Sequence, residues 1–158
     1  MDLNRFTQKS QEAVQQAQQV AVRFGHQELD VEEFLYALIE DEGGLISRLF
    51  QKLEIDPQAF KSALEGEISK RPRVSGPGAE AGKVYVTQRL NKVMVRADEE
   101  AKRLKDEYIS VEHFVLGMFD EDGSTGVGKV FRSFKLTKDK FLAVLTAIRG
   151  NQRVQSAN

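Results

Sequence analysis

Cysteine is absent from the 158 residues, which removes disulfides, thiolate metal ligands and thiol nucleophiles from consideration. That absence fits a reducing compartment. Long apolar runs are missing too. No stretch approaches the length of a membrane span, and the opening MDLNRFTQKSQ lacks the apolar segment of a secretory signal. The expectation is a cytoplasmic protein with no membrane partner. Nor is there an excess of charge of either sign. Lysine and arginine total 23 against 24 aspartates and glutamates, a formal net charge of -1, so the chain offers no overall field for nucleic acid. Histidine occurs twice, as His26 and His113, and neither lies in an H-E-x-x-H arrangement. An exposed turn is expected for His26 and a helix surface for His113. What remains is 30% charged and 41% hydrophobic, the balance of a globular domain.

One stretch has a familiar spacing. In GSTGVGKV, Gly123, Gly128 and Lys129 match the G-x-x-x-x-G-K of a phosphate-binding loop. Such a loop needs a strand leading into it and a Ser or Thr after the lysine to hold Mg²⁺. Here Val130 follows Lys129, and the preceding VEHFVLGMFDED is helical in pattern. The stretch therefore reads as a glycine-rich turn between helices, with no nucleotide cofactor. The acidic DEDG, Asp120 to Gly123, has its glycine too early for a calcium loop and reads as a solvated helix end, not a metal site. The basic KRPR (Lys70 to Arg73) and KRLK (Lys102 to Lys105) lack interleaved aromatics and read as solvated surface, with no nucleic-acid partner. No catalytic constellation is left, so the chain reads as a binding module without enzyme activity.

The informative feature is internal repetition. Thr7, Gln8, Ala17, Ala21, Arg23, Val31, Glu32, Phe34 and Gly43 recur 80 positions later as Thr87, Gln88, Ala97, Ala101, Arg103, Val111, Glu112, Phe114 and Gly123. After one inserted residue, Phe50, Phe60 and Leu64 meet Phe131, Phe141 and Leu145. Each half predicts four helices. In the first, Phe6, Ala13, Ala17, Ala21 and Phe24 form one apolar stripe. Asp30 and Glu33 have capping-box spacing for a second helix, and Asp56-Pro57 opens a fourth. Ser110 and Thr137 occupy the matching cap positions in the second half. The prediction is an all-α fold: a first repeat over 1–70, a linker over 71–86 rich in glycine and proline, a second repeat over 87–149, and a polar tail over 150–158. In the helix from Thr87 to Leu104, Leu90, Val93, Ala97, Ala101 and Leu104 suffice for a core stripe. Met94 and Val95 point toward its edge, either as a repacking apolar binding surface or as packing against the first half.

The double repeat resembles the N-terminal domains of the Clp-type AAA+ ATPases. MDLNRFTQKSQEAVQQAQQVA, RPRVSG, YISVEHFVLGM and RGNQRVQSAN are similar to the ClpB disaggregase branch, whereas the ClpC and ClpA branches share the repeat alone. The resemblance covers the whole chain. It implies two pseudo-symmetric four-helix repeats packed into one globular unit, monomeric by itself, with the tail approaching an absent ATPase module. ATP and Mg would belong to such modules of a homohexamer. The implied role is recognition of exposed apolar segments of unfolded or aggregated proteins, with an adaptor-docking domain of a ClpC- or ClpA-like protease ATPase as the alternative. The resemblance links Thr7, Asp106 and Glu112 to substrate handling and places a groove near Met94, beside the Val95 that the helix pattern also singles out. The chain departs from a wholly apolar groove pattern at Arg96 and His113, where relatives can carry leucine.

Overall fold

The protein is described from a computed structural model, over residues 3–72 and 84–158. The core of the expected linker, 73–83, lies outside the described residues. Among those described, eight α-helices account for nearly all regular structure, as the all-α reading predicts.

A threonine opens the long first helix of each half. Thr7 precedes α1 (Gln8–Arg23) and Thr87 precedes α5 (Gln88–Arg103), both in extended conformation. Each side-chain oxygen accepts the amide three residues on, Ser10 or Leu90, at 3.1 Å. This satisfies one of the donors that a helix start leaves unpaired. Both helices end in a residue with positive φ, Gly25 at 75° and Lys105 at 62°. The second helices, α2 (Val31–Glu40) and α6 (Val111–Met118), are almost wholly buried. They meet across the pseudo-twofold axis, where the matched rings of Phe34 and Phe114 lie edge to face with centroids 4.9 Å apart.

One capping reading needs correction. Asp30 caps α2 by accepting the Val31 amide at 2.9 Å, but Glu33 does not reach back to complete a box. It is drawn instead to His26 and Arg71. The reciprocal box belongs to α6. There Ser110 pairs with His113, whose Nδ1 accepts the Ser110 amide at 2.8 Å. Both histidines are therefore buried rather than exposed, because each has a carboxylate partner inside the protein.

The remaining helices are α3 (Leu45–Lys52), α4 (Pro57–Ile68), α7 (Gly126–Ser133) and α8 (Lys138–Arg149). Asp56 and Thr137 cap α4 and α8 as their sequence suggests. The short helices cross between halves: α7 packs on α2 and α4, while α3 packs on α6 and α8. Two backbone junctions add to this exchange. β1 (Glu28–Leu29) pairs in parallel with β2 (Tyr85–Val86), and Phe6 bridges Ile109 in the matching place. The repeats thus share one core, in which Phe6, Phe34, Phe50, Phe60, Phe114 and Phe141 are fully buried. Each such side chain contributes about 1.5–3 kcal/mol of burial.

Candidate functional site

A cleft of about 620 Å³ opens between α1, the α2–α3 turn and the start of α6. Its floor is apolar, with Ala37, Leu38 and Ile46 buried and Ala13, Leu45 and Val111 half-exposed. The rim carries both signs: Lys9 and Arg48 against Glu12, Glu40, Asp41 and Glu42. Gly43, at φ 80°, turns the chain between α2 and α3 and leaves the mouth free of side-chain bulk. An apolar floor inside a mixed rim excludes water from apolar cargo without demanding a particular sequence.

At the matching helix start of the second half an arginine stands in place of lysine. Arg89, the counterpart of Lys9, reaches Asp30 Oδ2 at 2.8 Å, Glu32 Oε2 at 2.9 Å and Glu121 Oε1 at 3.0 Å. Burial by itself lowers the guanidinium pKa, but the surrounding carboxylates outweigh it and the net shift is upward. Lys9 instead stays exposed and meets Glu12 at 3.7 Å. The two halves therefore differ in charge pairing here, although they share a backbone plan.

The polar residues singled out from the sequence gather along a second seam. Asp106, whose side chain is 0% exposed, bonds His113 Nε2 at 2.7 Å and Arg149 at 2.5 Å, and accepts the Val154 amide at 2.9 Å. Burial pushes its carboxyl pKa up; the Arg149, Val154 and His113 hydrogen bonds more than compensate and hold it below the usual range. Because the Ser110 amide donates to His113 Nδ1, the ring proton lies on Nε2, facing Asp106. Glu112 is 3% exposed, with Arg149 at 3.9 Å from one oxygen and no hydrogen-bond partner on the other. Thr7 Oγ1 donates to Ser10 Oγ, and the Thr7 amide and Ser10 hydroxyl both donate to the Ile109 carbonyl.

Met94 and Val95 form no part of that seam. Met94 is buried at 6% exposure, packed into the core, while Val95 is 53% exposed on the outer face of α5. Arg96 lies at 3.7–3.8 Å from Asp120 and Glu121. None of Thr7, Met94, Val95, Asp106, Glu112 or His113 lines the cleft. Sequence reasoning missed the cleft because its wall is shared among three elements distant in the chain. The half-exposed Leu45 directly after Gly43-Gly44 is the one local sign of it.

The phosphate-loop spacing has a packing explanation. Thr125 caps α7 by accepting the Gly128 amide at 3.1 Å, and the Val127 amide donates to Glu32 Oε2 at 2.9 Å. A Cβ at Gly128 would sit 2.1 Å from the Asp122 carbonyl oxygen, so a side chain there meets backbone. The segment ahead is α6, a helix. Among the described residues no group of three or more histidines and carboxylates is arranged to hold a metal, and no helix is long and apolar enough to cross a membrane.

The two-repeat helical unit matches a known family. A profile described as the Clp repeat (R) N-terminal domain matches residues 5–134, and the chain belongs to that family. It is 51% identical over 158 residues to a chaperone protein ClpB of Nitratidesulfovibrio vulgaris and 48% identical to one of Bacillus cereus. Both matches cover all of this chain and 18% of the relative. Among solved structures, the Hsp104 N-terminal domain from Candida albicans superposes with a TM-score of 0.80 at 18% identity, each chain 97% covered. The N-terminal domain of the chaperone ClpD from Arabidopsis thaliana gives 0.70 at 22%, covering 95% of this chain and 98% of that one.

Proposed function

We propose that this domain captures exposed apolar segments of unfolded or aggregated polypeptides for an ATP-dependent disaggregase. The observation that carries the reading is the open, apolar-floored cleft beside α3. The ClpB kinship of the whole chain supports it. Side chains entering the cleft gain about 1.5–3 kcal/mol each from burial, and ordering the bound segment offsets much of that gain. Binding is then weak and quickly reversed, which suits a site that passes cargo on. Val95 on α5 is a second exposed apolar position available to the same cargo.

In this reading the domain is a cytoplasmic monomer without a catalytic centre or cofactor of its own. ATP and Mg act in separate modules of a homohexamer, and nucleic acid and membranes are not partners. Saturating Mg-ATP accordingly leaves the melting temperature of the domain unchanged; a rise would assign nucleotide binding to Gly123–Lys129. The direct test is an NMR titration with an apolar peptide. Shifts gathered at Ala13, Leu45 and Val111 support the cleft, and shifts gathered at Val95 move the site to α5. A domain that binds a folded adaptor and ignores unfolded chains has the adaptor-docking role instead.

A further inference from the structure

The polar seam around Asp106 has an occupant: the chain's own end. After α8, Gly150 adopts φ 59° and ψ -125°, a conformation open mainly to glycine, and the chain reverses along the domain. Val154 then places its amide on Asp106 Oδ1 at 2.9 Å, while its carbonyl accepts the Glu107 amide at 2.8 Å and the Tyr108 amide at 3.3 Å. Farther on, the Ala157 carbonyl accepts the amide of Gln8, first residue of α1, at 2.6 Å. The segment thereby ties the 106–109 loop of the second repeat to the helix start of the first, beside the Phe6–Ile109 bridge.

The same device occurs at the end of the first repeat. Arg71, just past α4, bonds Glu33, and its carbonyl faces His26 Nε2 at 3.3 Å. Glu33 in turn meets His26 Nδ1 at 3.1 Å. His26 and Glu33 are the repeat partners of Asp106 and His113, with acid and imidazole exchanged between the two positions. In both halves a buried acid–histidine pair holds an arginine near the end of the last helix, Arg149 within α8 and Arg71 just past α4.

We propose that residues 150–157 form an exit strap, latched by Asp106, whose docking fixes the direction in which the chain leaves the domain and whose release frees it. Asp106 is then a positioning residue with no direct contact to cargo, and His113 and Arg149 act by orienting its two oxygens. The strap is built to release. It is held by a few backbone hydrogen bonds, with Val154 and Ala157 only half-buried, so its local opening free energy lies well below that of the helical core.

The test uses the whole 158-residue chain, ¹⁵N-labelled, with amide hydrogen exchange read residue by residue. Val154→Pro removes the donor to Asp106 in a segment outside every helix, Asp106→Asn removes the charge, and Val154→Ala keeps the amide as a control. In the parent chain the amides of Gln8 and Glu107 exchange slowly. Val154→Pro and Asp106→Asn lower that protection by about tenfold or more, the equivalent of 1.4 kcal/mol, while buried amides of α2 and α6 keep theirs and Val154→Ala changes nothing. The proposal is overturned if Gln8 and Glu107 exchange freely in the parent chain, or if Val154→Pro leaves their protection intact. Apolar-peptide binding is measured separately, so failure of the strap and failure of the cleft are distinguishable.

Discussion

Arg89 gathers three carboxylates, whereas Asp106 gathers one guanidinium, an imidazole N–H and a backbone amide, and their energetics differ because their surroundings do. Arg89 pairs with three carboxylates that the fold has largely withdrawn from water, and its own side chain remains 34% exposed. Removing one member of a buried ion cluster leaves the others unpaired, which costs about 3–5 kcal/mol in a dry site. With water reaching the guanidinium, about 2 kcal/mol is the appropriate scale for Arg89→Ala. Urea denaturation should show the midpoint falling with the m-value unchanged. Asp106 carries a pH signature. Its folded-state pKa lies below the ordinary 3.8, so its stabilisation is complete above about pH 4 and is lost as pH falls through the lower folded value. The stability gap between parent and Asp106→Asn therefore narrows on acidification below pH 4, a trend that equilibrium unfolding at several pH values would measure. Little of this was legible in the sequence. Two lone histidines looked like surface residues because the partner of each lies seven positions away, across a turn that brings them together. The clue was present in the repeat: His26 and Glu33 align with Asp106 and His113.

Helix identity and ends were far more readable than side-chain partners. Caps are local chemistry, so Asp56, Ser110 and Thr137 could be assigned from neighbours alone, whereas the partner of Glu33 depends on Arg71 at the far end of α4. Close approach between helices is likewise invisible from one sequence. A Cβ on Gly117 would lie 2.8 Å from the Val93 carbonyl oxygen and 3.2 Å from the Ala97 amide, so glycine here lets α6 rest on the backbone of α5. Alanine improves helix propensity by about 1 kcal/mol, but overpacking against backbone costs about 1–3 kcal/mol. The clash wins in a site with no flexible neighbour to yield, and Gly117→Ala should lower the melting temperature. The opposite result is predicted at the end of α5. Lys105 holds φ 62° where the first repeat has Gly25. Lys105→Gly removes the strain of a left-handed residue, about 1–2 kcal/mol, against the entropy cost of glycine. A net gain of about 0.5–1 kcal/mol should appear as a modest rise in melting temperature.

At the level of the whole molecule, duplication explains both what the two halves share and where they part. Repeated apolar positions specify two copies of one backbone plan, and exchange of α3 and α7 between halves fuses them into one core. At the matching helix starts the copies diverge, with Arg89 held among carboxylates and Lys9 exposed at the rim of the cleft. That divergence is a matter of two basic residues, and the cleft could not be read as a cavity before the elements were packed. The account rests on this open cleft as the place where apolar segments bind. Leu45→Asp tests it most directly: it puts a charge on the half-exposed floor at the first turn of α3, where an acidic residue also favours the helix dipole and so spares the fold. Affinity for a permanently unfolded polypeptide should fall by about tenfold or more, a loss of at least 1.4 kcal/mol, with the melting temperature held. Undiminished binding by a folded Leu45→Asp domain would contradict the account.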